Sequence, residues 1–586
     1  MQKSYGPQEL ECDQMHASKY RSPGESFKEA MTRVASGLCE NDQSFRACRD
    51  ILLNMRFLPG GRIQSAIGSL KSTTPYNCFV SGTIADSFTA GTGCIMARAT
   101  EAANTMRMGG GIGYDFSTLR PRGALIKKLQ SHSSGPVPFM EIFDAICRAT
   151  NSSGARRGAQ MGVLRVDHPD IEEFIRAKNN TDTLTGFNIS VAVTDEFMRA
   201  VGEDKEFSLR WGPIEYRSIW ARQLWDLIMR STYQWAEPGV LFIDQINRMN
   251  NLYYCETLAA TNPCGEQPLP PYGACLLGSF NLPQYLTRDG RGSPWRFDYE
   301  QLALDVPHVV EMMDRVVDVA RYPLHEQEQE AVAKRRMGLG VTGAANAIEA
   351  LGHPYASPAF ISHLGAILRL IRDSAYRASA LLAKRKGPFE LYDRNKYGAG
   401  EFIQTLPDEI QELIYENGIR NSHLLSIAPT GTISYTADNV SSGIEPVFAH
   451  KLDRTVIEQT GKREVVLEDY GAKYLGVYGR VAADCTPDDH LAVLICASRY
   501  VDSAVSKTCN VPQDISWDSF KDLYIRAWQG GCKGCTTYRP GGGRDGILKE
   551  RAETAEEPLI APSELSPALI EASCSFDPVT GRKNCE

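Results

Sequence analysis

Nowhere in this sequence do about twenty apolar residues run together, the length a bilayer-spanning helix needs. It also lacks a basic start leading into an apolar stretch. The opening MQKSYGPQELECDQ is mostly polar, so a secretory leader is not expected. Positive charge is not in excess: 63 Lys and Arg against 71 Asp and Glu leave a net charge of −8. That balance argues against a general binder of nucleic acid or of an anionic membrane surface. Any phosphate must be held locally, by backbone N–H groups and a few arginines. No internal repeat is visible, which argues against a solenoid or a propeller.

The 586 residues are 42% hydrophobic and 23% charged, the make-up of a soluble globular protein with a sizeable core. Length alone leaves the domain count open. Sixteen cysteines without a secretory leader read as buried thiols plus a functional subset in a cytoplasmic protein, not as a disulfide framework. From Ser26 to Met55 apolar residues recur at helical spacing, at Phe27, Met31, Val34 and Leu38. Between Phe57 and about Arg539, short β-rich runs alternate with amphipathic stretches. FNISVAV, 187–193, alternates like a strand, while 220–235 and 359–383 carry helical stripes. Such alternation predicts an α/β architecture. After Tyr538 come RPGGGRDG and an acidic, proline-rich stretch ending CSFDPVTGRKNCE, which reads as a flexible arm. The expected organisation is an N-terminal helical region over 1–56, an α/β domain over 57–540 and a tail over 541–586.

The segment TNPCGEQPLPPYGACLLGSFNL, 261–282, carries the chemistry. It sets Cys264 between Asn262 and Glu266 and places Cys275 eleven residues on; Cys78 lies far upstream in TTPYNCFVSG. A single cysteine is usually a small buried hydrophobe. Asn-Pro-Cys-Gly-Glu, however, is a loop sequence crowding polar groups around one thiol, which core packing does not require. One thiol beside a carboxylate base, with two more able to form a disulfide, is an inventory for radical reduction of an alcohol.

This wording resembles the Asn-x-Cys-x-Glu finger loop of the ribonucleotide reductases, and among them the adenosylcobalamin-dependent class II enzymes. The resemblance runs over roughly residues 55–540, with several motifs in the expected order. It implies a ten-stranded α/β barrel of two five-stranded parallel halves, with Cys264 on a loop inside. By the same resemblance Cys264 is the radical thiol, Glu266 the base for the 3′-hydroxyl and Asn262 an anchor for the sugar hydroxyls. Cys78 and Cys275 match the reducing pair, and Asn77 and Gly111 match substrate contacts near the ribose. SIAPTGTISYT offers successive backbone N–H groups that can cradle an anion. It resembles the substrate-phosphate loop at Pro429, Thr430, Gly431, Thr432 and Ile433. Asp86, and the basic turn at Arg156 and Arg157, match the site of a deoxynucleotide effector; such sites lie at a subunit interface, which implies a homodimer. NNTDTLTG, 179–186, resembles the specificity loop between effector and substrate. Cys574 and Cys585 resemble the tail pair that shuttles electrons from a thioredoxin-like or glutaredoxin-like reductant, although ten residues separate them, wider than the usual close pair.

Absences choose the class. No nucleotide-cone domain precedes the barrel, no adjacent tyrosine pair stands near the C-terminal end, and no glycyl-radical sequence is present. Tyr253-Tyr254 lies ahead of Asn262, the wrong place for radical transfer. A reductase without a radical-partner signature is expected to carry its radical source as a bound cofactor, adenosylcobalamin. The Asp-x-His-x-x-Gly motif of other cobalamin enzymes is missing, which class II reductases do not need. Two alternatives stand beside this reading. One is a class I-type large subunit needing a separate radical-generating subunit. The other is a non-enzymatic nucleotide-binding protein, with zinc held by the Cys532/Cys535 CxxC and the tail pair. GLGVTG, 338–343, fits GxGxxG, but the charged, helix-like AVAKRRM before it argues against a dinucleotide site.

Overall fold

The computed structural model describes residues 5–542 apart from 128, 152–158, 181, 291 and 459–460, and the backbone of 576–577 and 582–583; for 151 and 452–465 it describes backbone alone. Helix α1 (Phe27–Leu38) starts at a capping box in which the Ser26 hydroxyl accepts from Glu29 N and the Glu29 carboxylate accepts from Ser26 N at 2.9 Å. The helical run read over 26–55 is in fact two helices. Cys39 and Asn41 are extended, and Asn41 Oδ1 accepts from Ser44 N at 2.9 Å to start α2 (Asp42–Leu53). Met31, Val34, Leu38, Ile51 and Leu52 are buried from the two helices, which pack on α3 (Tyr299–Val319). Each such side chain contributes about 1.5–3 kcal/mol by leaving water. Helix α4 (Pro358–Lys386) packs along α3 in turn.

Ten strands form one sheet: β1 (Phe57–Pro59), β2 (Cys78–Val80), β3 (Gly111–Asp115), β4 (Gln160–Arg165), β5 (Phe187–Val193), β6 (Gly239–Phe242), β7 (Ala274–Asn281), β8 (Met337–Thr342), β9 (Thr508–Asn510) and β10 (Gly534–Tyr538). Strands β2 to β6 run parallel in chain order, with Cys78 beside Gly111, Ile112 beside Gln160, Gln160 beside Phe187 and Ser190 beside Gly239. A second parallel set begins with β7 beside β8 and ends with β9 beside β10. Between them, parallel bridges Leu339–Leu425 and Ile427–Val505 carry the ladder on. Ser426 N donates to Leu339 O at 3.0 Å and Ser506 N to Ile427 O at 2.8 Å, just before β9. The sets meet antiparallel at Val240–Cys535 and at Cys275–Cys78, so the ladder returns on itself. These are the two parallel halves of the α/β barrel that the family resemblance implies, with β1 added antiparallel to β7.

Every residue of β5 is buried, as a strand covered on both faces requires. Phe187, Ile189, Val191 and Val193 join the large core between sheet and helices. Ala192 instead joins a smaller cluster inside the ring, with Cys78, Met161, Leu241 and Cys275. Among the described residues no helix is long and apolar enough to cross a membrane.

Candidate active site

The loop 261–267 enters the ring and is gripped from both halves. At its base Asn262 N donates to Gln267 O at 3.0 Å, and Gln267 N donates to Asn262 Oδ1 at 2.9 Å. At its tip Gly265 N closes a turn on Asn262 O at 3.0 Å, with Gly265 at φ +82°, a conformation that glycine adopts without strain. From the first half, Asn188 Nδ2 donates to Pro263 O at 3.0 Å. From the second, Ala504 N and the Ser426 hydroxyl donate to Glu266 O at 2.9 and 3.0 Å. Strand β3 supplies a seat without side chains. A Cβ placed on Gly113 would lie 1.8 Å from Thr261 O, and one on Gly111 3.0 Å from Pro263 Cγ. Gly111 thus lets the loop itself approach the strand.

Three loop residues are almost wholly buried: Asn262 is 2% exposed, Cys264 3% and Glu266 1%. The Cys264 sulfur is in a disulfide. A narrow cavity of about 30 Å³ opens beside Cys264 and Gly265, walled by Met161, Ser190, Val505, Ser506 and Thr536. Cys78 and Cys275 stand directly opposite one another on antiparallel strands, both as free thiols. Asn262 Nδ2 lies 3.1 Å from Cys78 Sγ, and Cys78 Sγ lies 3.9 Å from Glu266 Oε1. Burial pushes the Cys78 thiol well above its usual range, and the Glu266 carboxylate adds to the rise. Burial does the same at Cys275, against the pull of the Arg336 guanidinium. Both are therefore neutral thiols, suited to giving up hydrogen rather than attacking as thiolates.

Close to Cys275 lies a buried ionic network. Glu256 accepts from Lys334 Nζ at 2.8 Å and pairs with Arg336, which also pairs with Glu330. Burial works against the Glu256 carboxylate, but Arg336 and Lys334 hold it down at about 2.

Facing the loop, the chain leaves the extended segment around Ser426 and turns at Thr430, φ +54°, into the short helix Gly431–Tyr435. The Thr430 hydroxyl accepts from Gly443 N at 2.7 Å and meets Thr342 Oγ1 at 3.0 Å, so it braces the turn. No side chain caps the helix that Gly431, Thr432 and Ile433 begin; Pro429, Gly431 and Thr432 are half-buried. Asn77 Oδ1 and both amide ends of Gln267 make no hydrogen bond among the described residues, although all are buried atoms.

Other sequence-derived candidates lie elsewhere. Asp86 is paired with Arg120, which donates from Nε at 2.6 Å and from its backbone N at 3.1 Å. Arg156, Arg157, Cys574 and Cys585 lie outside the described residues. Tyr253 and Tyr254 hydroxyls bond to the carbonyls of Lys396 and Leu391. The Cys535 thiol contacts that of Cys509 on the next strand, and no metal-binding group of three or more His, Cys, Asp or Glu occurs among the described residues. In GLGVTG the first two glycines sit within buried β8, not in a phosphate-binding turn. A Cβ on Gly338 would meet Gln267 Nε2 at 2.5 Å, and one on Gly340 Ser426 O at 2.3 Å. Those glycines make room for the finger loop and its brace.

Three site residues escaped the sequence reading: Asn188, Gln267 and Ser426. Asn188 was legible, since the alternation of FNISVAV puts Asn188, Ser190 and Ala192 on one face of the strand. Gln267 and Ser426 carry no signal beyond adjacency to Glu266 and to the anion-cradling turn.

Residues 77–538 match the family described as ribonucleotide reductase, barrel domain. The chain is 34% identical to the vitamin B12-dependent ribonucleoside-diphosphate reductase of Mycobacterium tuberculosis (strain CDC 1551 / Oshkosh), over 94% of this chain and 81% of that protein. It is 32% identical to the protein of the same name from Thermoplasma acidophilum, over 82% of this chain and 64% of that one. The ribonucleoside-diphosphate reductase subunit alpha of Chlamydia muridarum is 27% identical over 86% of this chain and 56% of its own length.

Proposed function

The chain belongs to the ribonucleotide reductase family, and on that premise we propose that it is a class II enzyme. It reduces ribonucleotides to 2′-deoxyribonucleotides for DNA synthesis, using adenosylcobalamin. The observation that carries this is the cross-strand dithiol Cys78/Cys275 set against Asn262 and Glu266, on the loop that bears Cys264. Names of relatives that specify vitamin B12 and diphosphates support the cofactor and make a nucleoside diphosphate the first substrate to test.

The residues beside Cys264 have the chemistry to hold the nucleoside part of that cofactor once the narrow cavity of about 30 Å³ widens to admit it. Met161 and Val505 are apolar walls, Ser190, Ser506 and Thr536 offer hydroxyls, and Gly239 leaves a space where a Cβ would come 2.9 Å from Ser190 Oγ. When bound, adenosylcobalamin would supply a one-electron oxidant able to take a hydrogen atom from a thiol.

Cys264, once released from its disulfide, is the thiol so oxidised, and it removes the 3′-hydrogen of the ribose. Glu266 holds the 3′-hydroxyl proton, and Asn262 orients the sugar. The 2′-hydroxyl leaves as water with a proton from the Cys78/Cys275 pair, which closes to a disulfide as two electrons reach the substrate. Cys264 then returns the hydrogen to C3′. The uncapped turn from Pro429 to Ile433 and the unpartnered Asn77 Oδ1 receive phosphate and sugar. A deoxynucleotide effector near Asp86, a homodimer and an external dithiol reductant complete the proposal.

The test is anaerobic turnover of CDP and CTP by the purified chain with a dithiol, with and without adenosylcobalamin, and with Cys264→Ser as control. Deoxynucleotide formed only with the cofactor, and abolished by the substitution, is expected. No product in either arm overturns the class II reading and points to a separate radical-generating subunit.

A further inference from the structure

Away from the barrel, two thiols meet near the surface between α1, α2 and α3. Cys39 lies just past α1, its N–H bonded to Ala35 O at 3.1 Å, and is half-buried. Cys48 sits on the buried face of α2, its Sγ 3.8 Å from the His308 carbonyl in α3. The two side chains line one cleft and act on each other electrostatically, with Ser44 beside them. The Cys48 contact pulls the Cys39 thiol below its ordinary range, with Ser44 helping and burial and the Glu311 carboxylate opposing. The same contact, with burial, pushes Cys48 up. Of the two, Cys39 is the more readily ionised and Cys48 the one that keeps its proton.

Both cysteines line one cleft, together with Glu40, Ser44, Arg315 and Lys386. Its free space is about 10 Å³, on the scale of a single water molecule. Cys39 is only half-buried, so a small oxidant such as hydrogen peroxide can reach its sulfur from solvent, while the cleft has no room for a tripeptide disulfide.

We propose that Cys39 and Cys48 form a peroxide-oxidised dithiol, a modification site separate from the cysteines of ribonucleotide reduction. The Cys39 thiolate attacks one oxygen of hydrogen peroxide, the O–O bond breaks, and Cys39 becomes a sulfenic acid as hydroxide leaves. The Cys48 sulfur then attacks the Cys39 sulfur, giving its proton to the departing hydroxyl, and a disulfide and water form. Two thiols have lost two electrons, and one peroxide has gained them. The bond ties the end of α1 to α2, and a dithiol reverses it.

The full-length chain is treated with hydrogen peroxide, alkylated without reduction and digested with trypsin, which separates the peptide 34–46 from 47–49. The expected product is these two peptides linked, two hydrogen masses below their sum, appearing before the exposed Cys255 is oxidised and vanishing on treatment with dithiothreitol. In Cys48→Ser, Cys39 is expected to persist as a sulfenic acid trapped by dimedone. Cys39 and Cys48 both remaining alkylatable at a dose that oxidises Cys255, or Cys39 oxidising without linkage to Cys48, would overturn the proposal.

Discussion

Gly113→Ala tests how the reactive loop is held. The new Cβ would stand 1.8 Å from Thr261 O and 2.9 Å from Thr261 C, both backbone atoms. No Cβ tolerates a contact under 3.0 Å, so the Thr261 carbonyl must withdraw by about 1 Å or more. Thr261 cannot move alone, since its hydroxyl donates to Asn262 O at 3.0 Å and Asn262 N is tied to Gln267 O at 3.0 Å. The shift therefore reaches Asn262 and Cys264. A misplacement of about 1 Å lowers a rate on the order of 10²-fold, equivalent to about 2.7 kcal/mol of barrier. Overpacking also costs about 1–3 kcal/mol of stability. The assay is steady-state nucleotide reduction beside thermal unfolding. The expected result is kcat down about 100-fold with KM changed much less and a still cooperative melt. Gly111→Ala makes a milder contact, 3.0 Å to the Pro263 ring, and is expected to lose about tenfold or less. Gly202→Ala, in the helix Asp195–Glu203 with open space around it, is the control and should gain about 0.5–1 kcal/mol of stability. Wild-type turnover by Gly113→Ala, or a loss no larger than that of Gly111→Ala, would refute the idea that β3 seats the loop.

Glu256→Gln leaves Arg336 and Lys334 buried with Glu330 as their remaining carboxylate and should cost about 3–5 kcal/mol in urea unfolding; a change below about 1 kcal/mol would contradict the network's role. Asp438 accepts from Gln8 N and Glu9 N, yet burial raises its carboxyl from 3.8 to about 6. Because the folded value is the higher one, its contribution to stability is full below pH 3.8 and is lost as pH rises through about 6. At about 1.4 kcal/mol per pH unit, wild type should lose about 2 kcal/mol relative to Asp438→Asn between pH 4 and 7; parallel pH profiles would disprove it. After turnover without dithiol, mass spectrometry should find Cys78 linked to Cys275, and finding both as free thiols after product forms would remove them as the reducing pair.

Much of the local structure was legible in the chain itself, because it depends on neighbours in sequence. The Ser26–Glu29 capping box, the alternation of FNISVAV and the glycine turn in Asn-Pro-Cys-Gly-Glu need only the geometry of a few adjacent residues. The same holds for the recognition that Asn262, Cys264 and Glu266 form one chemical unit. The break at Cys39 was missed because α1 and α2 each bury apolar residues at helical spacing, so their joined pattern hid the extended residues between them.

What the sequence alone determined, then, was an α/β chain carrying a polar loop around one thiol. Tertiary structure decided the rest. Only the antiparallel register of β2 against β7 sets Cys78 opposite Cys275. Only the approach of the loop to β3 leaves no room for a Cβ at Gly113, and only the packing of β8 gives the glycines of GLGVTG, already rejected as a dinucleotide motif from their flanking sequence, a use as clearance for Gln267 and Ser426. Asp86, matched by resemblance to an effector site, is engaged by Arg120 through a contact no spacing rule foretells. The physical reason is common to all of these. Strand register and side-chain clearance arise from hydrogen bonds and packing between segments far apart in the chain, and local periodicity carries no record of which segments will meet.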